Sequence, residues 1–582
     1  MTKVPATVPI VGIGASAGGL EAFTQLLAAL PEQSGMAFVL VQHLEPRHDS
    51  LLTDILSKAT RMPVVEVEDG MAVAADRVYV IPPNANMVLA QGVLRLSPRV
   101  ESHGAHLSID AFLNSLAQER GRLAIGVILS GTGSDGTLGL AEIKAAGGIT
   151  FAQDRESAKF SEMPLSAVAA GFVDIVLPPG DIALELARVG KHPYLENSGS
   201  EDPEKAFEDP EGDLPRIIRL LRGSSGVDFT HYRGSTLRRR ILRRMALVKK
   251  DTLAEYVKRL EGDSTEINAL YQDILIHVTR FFRDPEAYRA LEESVLPEIV
   301  KTKTSKDFIR IWVAGCATGE EAYSLAIAVC EFQDTLKERH ELRIFASDIS
   351  ESPALERARA GVYSESIEQD VSPERLRRFF VKEARGYRIN KEIREMILFA
   401  KHDVTSDPPF ARLDLISCRN LLIYFSSPLQ RRIIPSFHYA LNPGGFLLLG
   451  NSETIGKDGD LFSPVDARHR IYVKKAASLR LPNLVTKGKA AVHPWKNTGP
   501  VRIPAVALDY QQAADRLALR TFVPPGVLVN KDMDVLQFRG RTSPFLAPPS
   551  GGTGLNIAAM AQETLSLEIR DAIGESLKLD AP

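Results

Sequence analysis

The stretch VPIVGIGASAGGLEAF, Val8–Phe23, carries an apolar run straight into a turn of small residues and out again into a helical pattern. A run that is apolar at every residue, not every second one, belongs to a strand covered on both faces. The same order returns at Ile309–Val329, IRIWVAGCATGEEAYSLAIAV. Near the first stretch lie AFVLVQHL, RVYVIPP, AIGVILSGTG and DIVLPP; near the second lie LRIFASD, LDLISC and GGFLLLGNSE. Helical patterns separate these runs, and strands that alternate with helices imply parallel sheets held between helical layers. The expected fold class is therefore α/β, with an N-terminal doubly wound parallel sheet and a second α/β domain further along.

A chain of 582 residues exceeds what one hydrophobic core supports, so several domains are expected. The clearest break is ENSGSEDPEKAFEDPEGD, Glu196–Asp213, which is acidic and offers almost nothing to bury. A second break falls at about 474–506. The net charge of −3 gives no overall attraction to nucleic acid or anionic lipid. The sparse cysteines Cys316, Cys330 and Cys418 argue against a disulfide framework. With no apolar leader and no run of membrane-spanning length, a cytoplasmic protein is expected, neither membrane-inserted nor bound to nucleic acid, and without a metal site.

The first glycine turn fits two patterns. Gly12, Gly14 and Ala17 match the dinucleotide fingerprint G-x-G-x-x-G/A, while Gly14–Gly18 matches the nucleophile elbow G-x-S-x-G. A dinucleotide site wants an acid at the end of the second strand, and AFVLVQHL ends at His43. VILSGTGSDG places Asp135 in a glycine-rich loop after another strand. Carboxyl ends of parallel strands share one edge, so Ser16, His43 and Asp135 are expected to converge as nucleophile, base and orienting carboxylate. The helix after Ser16 aims free N–H groups at the same point, an oxyanion site. Against this stands a plainer role for Asp135, capping the helix that begins at Gly136.

GIGASAGGLEA, VQHL, SGTGSDG and AQDRESAKFSEMPLSAVAAG resemble the catalytic domain of the chemotaxis protein-glutamate methylesterase, CheB. The resemblance implies that Ser16 attacks a glutamate γ-methyl ester, that His43 is general base and acid, that Asp135 orients it, and that methanol leaves. It also implies a capacity to deamidate glutamine. Ala17 and Thr132 depart from the threonine and methionine usual in that family, and the customary receiver domain does not precede it.

The second glycine turn lacks the Gly-Lys-Ser/Thr of a phosphate loop, and Glu320 and Glu321 at the helix start would repel a phosphate. They suit a cationic cofactor such as S-adenosylmethionine, and Asp348, ending LRIFASD, is placed for ribose hydroxyls. The plainer reading is a helix N-terminus with its customary acids. IHVTRFFRDPEAY, ASD, DLISCRNLLIYF and GNSET are similar to the chemotaxis receptor methyltransferase, CheR. That resemblance implies a small helical subdomain followed by a Rossmann-like S-adenosyl-L-methionine methyltransferase domain. It implies cofactor contacts at Thr279, Arg283, Ala314, Glu320, Asp348, Arg419 and Asn420, with Arg419 and Tyr424 near the methyl and the substrate carboxylate. His277 and Asp403 replace asparagines usual in the family.

YRGSTLRRRILRRMALVKK concentrates positive charge with no intervening acid, and is read as a helix that docks acidic receptor helices. FVPPGVLVNKDMDVLQFRGRTSPFL resembles the start of a PAS-type segment. The domains expected are thus a methylesterase at 5–190, an acidic linker at 191–212, a helical subdomain at 213–290, a methyltransferase at 291–475, a linker at 476–505 and a partial PAS-like segment at 506–582. The resemblances imply methyl-accepting chemotaxis receptors as partners, with a histidine kinase or response regulator besides. They imply a bifunctional enzyme, and two intact motif sets joined by an acidic linker lead us to expect that the opposing activities are gated against each other or serve different glutamates. A signalling scaffold with decayed catalytic domains is the alternative.

Overall fold

The computed structural model describes residues 8–42, 52–98, 107–196, 212–275, 278–304, 307–383, 386–456 and 459–476, with the strands Gly526–Val529 and Val535–Arg539 and Ile557 beyond them. Two compact units divide at residue 482. Of the second unit, the antiparallel hairpin of those two strands is the described part, so the PAS-like expectation lies mostly outside the described residues. His43 and His277 also lie outside them.

The first sheet has seven strands. Ile10–Ala15 lies at its centre between Ala37–Gln42 and Ala124–Ile128, parallel to both. Alternate residues of these strands serve two cores, as a period of two requires. Val11 and Ile13 pack with Phe23, Leu26 and Leu186 on one side, while Ile10 packs with Ile109, Phe112 and Leu113 on the other. The paired glycines of the first stretch face this second layer. A Cβ on Gly12 would lie 2.6 Å from Leu113 Cδ2, and one on Gly14 would collide with Ile109. These glycines let helix Ser108–Arg120 press against the strand; they cradle no phosphate.

The second sheet is also seven-stranded, ordered 397–401, 342–348, 309–314, 413–418, 441–449, 471–474, 462–466, with its last two strands antiparallel. Ile311 and Val313 face one core, Trp312 and Ala314 the other. The turns of residues 285–301 pack through Tyr288, Leu291 and Ile299 into the first of these. The methyltransferase fold therefore starts well before 291, and the helical subdomain ends near 275. That subdomain comprises helices Asp213–Ser225, Gly234–Leu247, Leu253–Gly262 and Ser264–Ile274. Thr252 and Asp263 cap the third and fourth by accepting backbone N–H bonds.

Two expectations change here. Residues 191–196 are not linker: Tyr194 and Leu195 are buried, and Tyr194 Oη donates to Gly147 O. The basic helix Gly234–Leu247 is not a free docking face either. Arg240 donates to Lys144 O (2.8 Å) and Ala145 O, both in the first domain. Arg243, fully buried, donates to Gly148 O at 2.8 Å and pairs with Asp174 and Asp273. Burial pushes the Asp174 carboxyl up, but the Arg243 guanidinium and Lys144 outweigh it and hold it well below the usual range. A basic run in sequence marks either a solvated face or a buried partner surface, and here acids and carbonyls far off in sequence decide it.

Candidate active sites

Ser16 follows directly on the central strand, half-buried, with Gly18 in the left-handed region at φ +75° opening helix Gly19–Ala29. The surroundings are cut to fit it. Ser16 N–H donates to Ser130 O at 3.0 Å, and Ser130 Oγ donates to Ala17 O at 2.9 Å. A Cβ on Gly131 would lie 3.0 Å from Ser16 Cβ, so the loop bearing Asp135 closes on the serine through a glycine. Ala17 therefore contributes its carbonyl to the turn.

Asp135 is buried. Its Oδ2 accepts Ile109 N–H (3.0 Å) and its Oδ1 accepts Asp110 N–H (2.8 Å). It holds the N-terminus of helix Ser108–Arg120. Asp110 answers it: Oδ1 accepts Gly139 N–H at 2.6 Å, in the first turn of Thr137–Ala146. Each carboxylate thus clasps the other's helix. Burial, then the Asp135 charge, push the Asp110 carboxyl up to about 8. Ser16 and the Asp135 loop come together at one edge; the third expected member, His43, is outside the described residues.

The second site is a cavity at the carboxyl edge of the second sheet. Asp348, Asn420 and Tyr424 line it. Asp348 is fixed by Ser350 N–H on Oδ1 (3.0 Å) and Ala317 N–H on Oδ2 (2.9 Å). Thr279, Arg283, Ala314, Glu320 and Arg419 are not among the cavity's lining residues, although Gly315 and Asn420 beside two of them are. Glu320 is buried and accepts from Thr318 Oγ1 at 2.6 Å, and burial pushes its carboxyl up. Glu321 accepts from Ser417 Oγ. Arg419 Nη2 donates to Arg283 O (2.8 Å) and Asp284 Oδ2 (2.6 Å), while its Nε and Nη1 are buried without a hydrogen-bond partner.

Sequence reading missed Tyr232, Ile274 and Leu275, through which the helical subdomain walls this cavity. It also missed His402. Its Nε2 lies 3.0 Å from Pro408 O and must carry the proton there, which leaves Nδ1 as an acceptor. That Nδ1 is buried with no partner, in a ring stacked on Phe410. No period or motif announces such a residue.

Comparison with known proteins follows the same division. The family models match in turn: CheB methylesterase over residues 11–186, the CheR methyltransferase all-alpha domain over 212–275, and the CheR methyltransferase SAM binding domain over 277–471. An uncharacterized 104.1 kDa protein of Rhodobacter capsulatus is 38% identical across 88% of this chain, which spans 56% of that protein's length. A chemotaxis protein methyltransferase of Listeria innocua is 33% identical, covering 43% of this chain and 94% of its own. The CheB methylesterase catalytic domain of Thermotoga maritima is 30% identical over 31% of this chain and 98% of that one, with a TM-score of 0.29.

The chain thus carries methylesterase and methyltransferase domains together, and the cofactor of the second is S-adenosyl-L-methionine. The residues present fit that group. The Asp348 carboxylate on the cavity wall meets the need of ribose hydroxyls, and His402, which also lines the cavity, has a buried Nδ1 without a partner. Among the described residues no helix is long and apolar enough to cross a membrane, and no His, Cys, Asp and Glu cluster fits a metal.

Proposed function

We propose, for a chain that belongs to the chemotaxis protein methyltransferase family and carries a CheB methylesterase domain ahead of it, that it both adds and removes methyl groups on receptor glutamates. The observation that carries the reading is a pair of largely parallel sheets in one unit, each with a candidate site at a carboxyl edge.

In the esterase, Ser16 Oγ attacks the ester carbonyl carbon while His43 takes its proton, and Asp135 holds the imidazole. The serine–carbon bond forms, the methoxide leaves with that proton as methanol, and water then releases the glutamate. Backbone N–H groups at the start of helix Gly19–Ala29 receive the oxyanion. The same steps on a glutamine amide would release ammonia.

In the methyltransferase, S-adenosyl-L-methionine when bound supplies an activated methyl group on a cationic sulfur. Asp348, His402 and Asn420 hold it, supported by their place around the cavity. Thr279, Arg283, Ala314 and Glu320 are proposed as an outer set that shapes the turn and the approach. Arg419, whose Nε has no hydrogen-bond partner and whose Nη1 faces Glu321 Oε2 at 3.9 Å, takes the substrate carboxylate beside Tyr424. Esterification removes the charge that Arg419 grips, so the product is held less tightly than the substrate.

Methyl-accepting receptors are the proposed substrates; a histidine kinase or response regulator partner and a PAS-like role for 506–582 rest on resemblance alone. Methanol release from a tritium-methylated receptor tests the eraser, and Ser16→Ala is expected to lower it at least about a thousandfold. Calorimetry with S-adenosyl-L-methionine tests the writer. No heat of binding at millimolar cofactor would turn the reading toward a scaffold.

A further inference from the structure

The clasp between the two esterase helices has a third participant. Asp110 Oδ2 accepts a hydrogen bond at 3.1 Å from Gln369 Nε2, and Gln369 belongs to the methyltransferase domain, 259 residues away. It ends the short turn Glu365–Gln369, so the methyltransferase reaches across and touches the carboxylate paired with Asp135. We propose that Gln369 is a positioning residue for the esterase, acting through Asp110 on Asp135. The proposal rests on the reading of Asp135 as the carboxylate that orients the esterase base.

Asp110 and Asp135 are 5% and 3% exposed, so water screens neither. Asp135 keeps its orientation by accepting the amides of Ile109 and Asp110, the first turn of the very helix that carries Asp110. A second full negative charge on Asp110 would repel Asp135 and loosen its hold on those amides. Gly139 N–H and the Gln369 amide both favour that charged form, against burial and Asp135. Among the described residues, the charged group facing Asp110 from the 129–136 loop is Asp135. Helix Thr137–Ala146 presents Gly139 N–H here, and its Glu142 acts on Asp370 of the methyltransferase, which Arg280 also faces. Gln369 thereby sets the pH at which the esterase aspartate loses its footing, and it does so from the opposing enzyme.

The test uses the full chain and a receptor bearing tritiated glutamate methyl esters, with methanol release followed from pH 6 to 9.5 after subtraction of uncatalysed hydrolysis. The wild type is expected to lose activity through a transition near the Asp110 value of about 8. Asp110→Asn, which keeps the Gly139 acceptor and cannot ionise, should lose that transition. Gln369→Leu should move it upward by about half a pH unit, leaving about threefold more of its plateau activity than wild type retains at pH 9. Unchanged S-adenosyl-L-methionine affinity in both variants shows that the methyltransferase is intact. If Ser16→Ala abolishes release while both variants trace the wild-type profile, or fall by one factor at every pH, the inference is overturned. If Ser16→Ala retains release, the esterase reading itself is what fails.

Discussion

At Gly131 the absence of one methyl group keeps the loop clear of both Met163 and Ser16, since a Cβ there would stand 2.7 Å from Met163 Cε and 3.0 Å from the Cβ of Ser16. Ser16 and Asp348 were legible because each ends an apolar strand, and parallel topology sends strand ends to one edge. His402 was not, because its importance comes from a proton placed by the Pro408 carbonyl and from burial against Phe410. His402→Phe keeps the stack and deletes the acceptor. It is expected to weaken S-adenosyl-L-methionine about tenfold in calorimetry, the cost of one unmade hydrogen bond in a buried site. Asp110 escaped for another reason: its partner Asp135 was visible as an acid in a glycine loop, but reciprocal capping depends on two helices meeting, which no local pattern records.

Elements were more readable than their environments. The strand starting at Ile10 and the turn after it follow from composition, yet which layer the glycines serve follows from Leu113 and Ile109 a hundred residues on. Gly12→Val should therefore destabilise the esterase by about 1–3 kcal/mol in denaturant unfolding, through overpacking against helix Ser108–Arg120. The cofactor cavity of the other sheet, measured by binding to intact protein, should be unaffected in the folded fraction. Helix Gly234–Leu247 illustrates the opposite case. Its charges were plain, but the acids that consume Arg243 come from Asp174 and Asp273, distant in the chain.

For the whole molecule, that arginine decides how the two catalytic halves are held. Removing one member of a buried charge cluster leaves the others uncompensated, so Arg243→Leu should cost about 3–5 kcal/mol. The loss should appear as two separated unfolding transitions in calorimetry. The acid limb follows the same logic with a definite sign. The Asp174 carboxyl lies below its unfolded value, so its contribution is present above about pH 4 and is lost as pH falls further. The seam between the halves should weaken there. Charge alone did not reveal this seam, because the 197–211 stretch reads as a spacer whatever the domains on either side do to each other.

The arginine-stapled seam also bears on bookkeeping inside a cell. Two separate proteins can be set against each other by how many copies of each are made. Because one chain carries both domains, the proposed writer and eraser arrive in equal number at every address. Gene dosage then drops out as a lever, and the steady level of modification depends on turnover constants and on whatever reaches one half before the other.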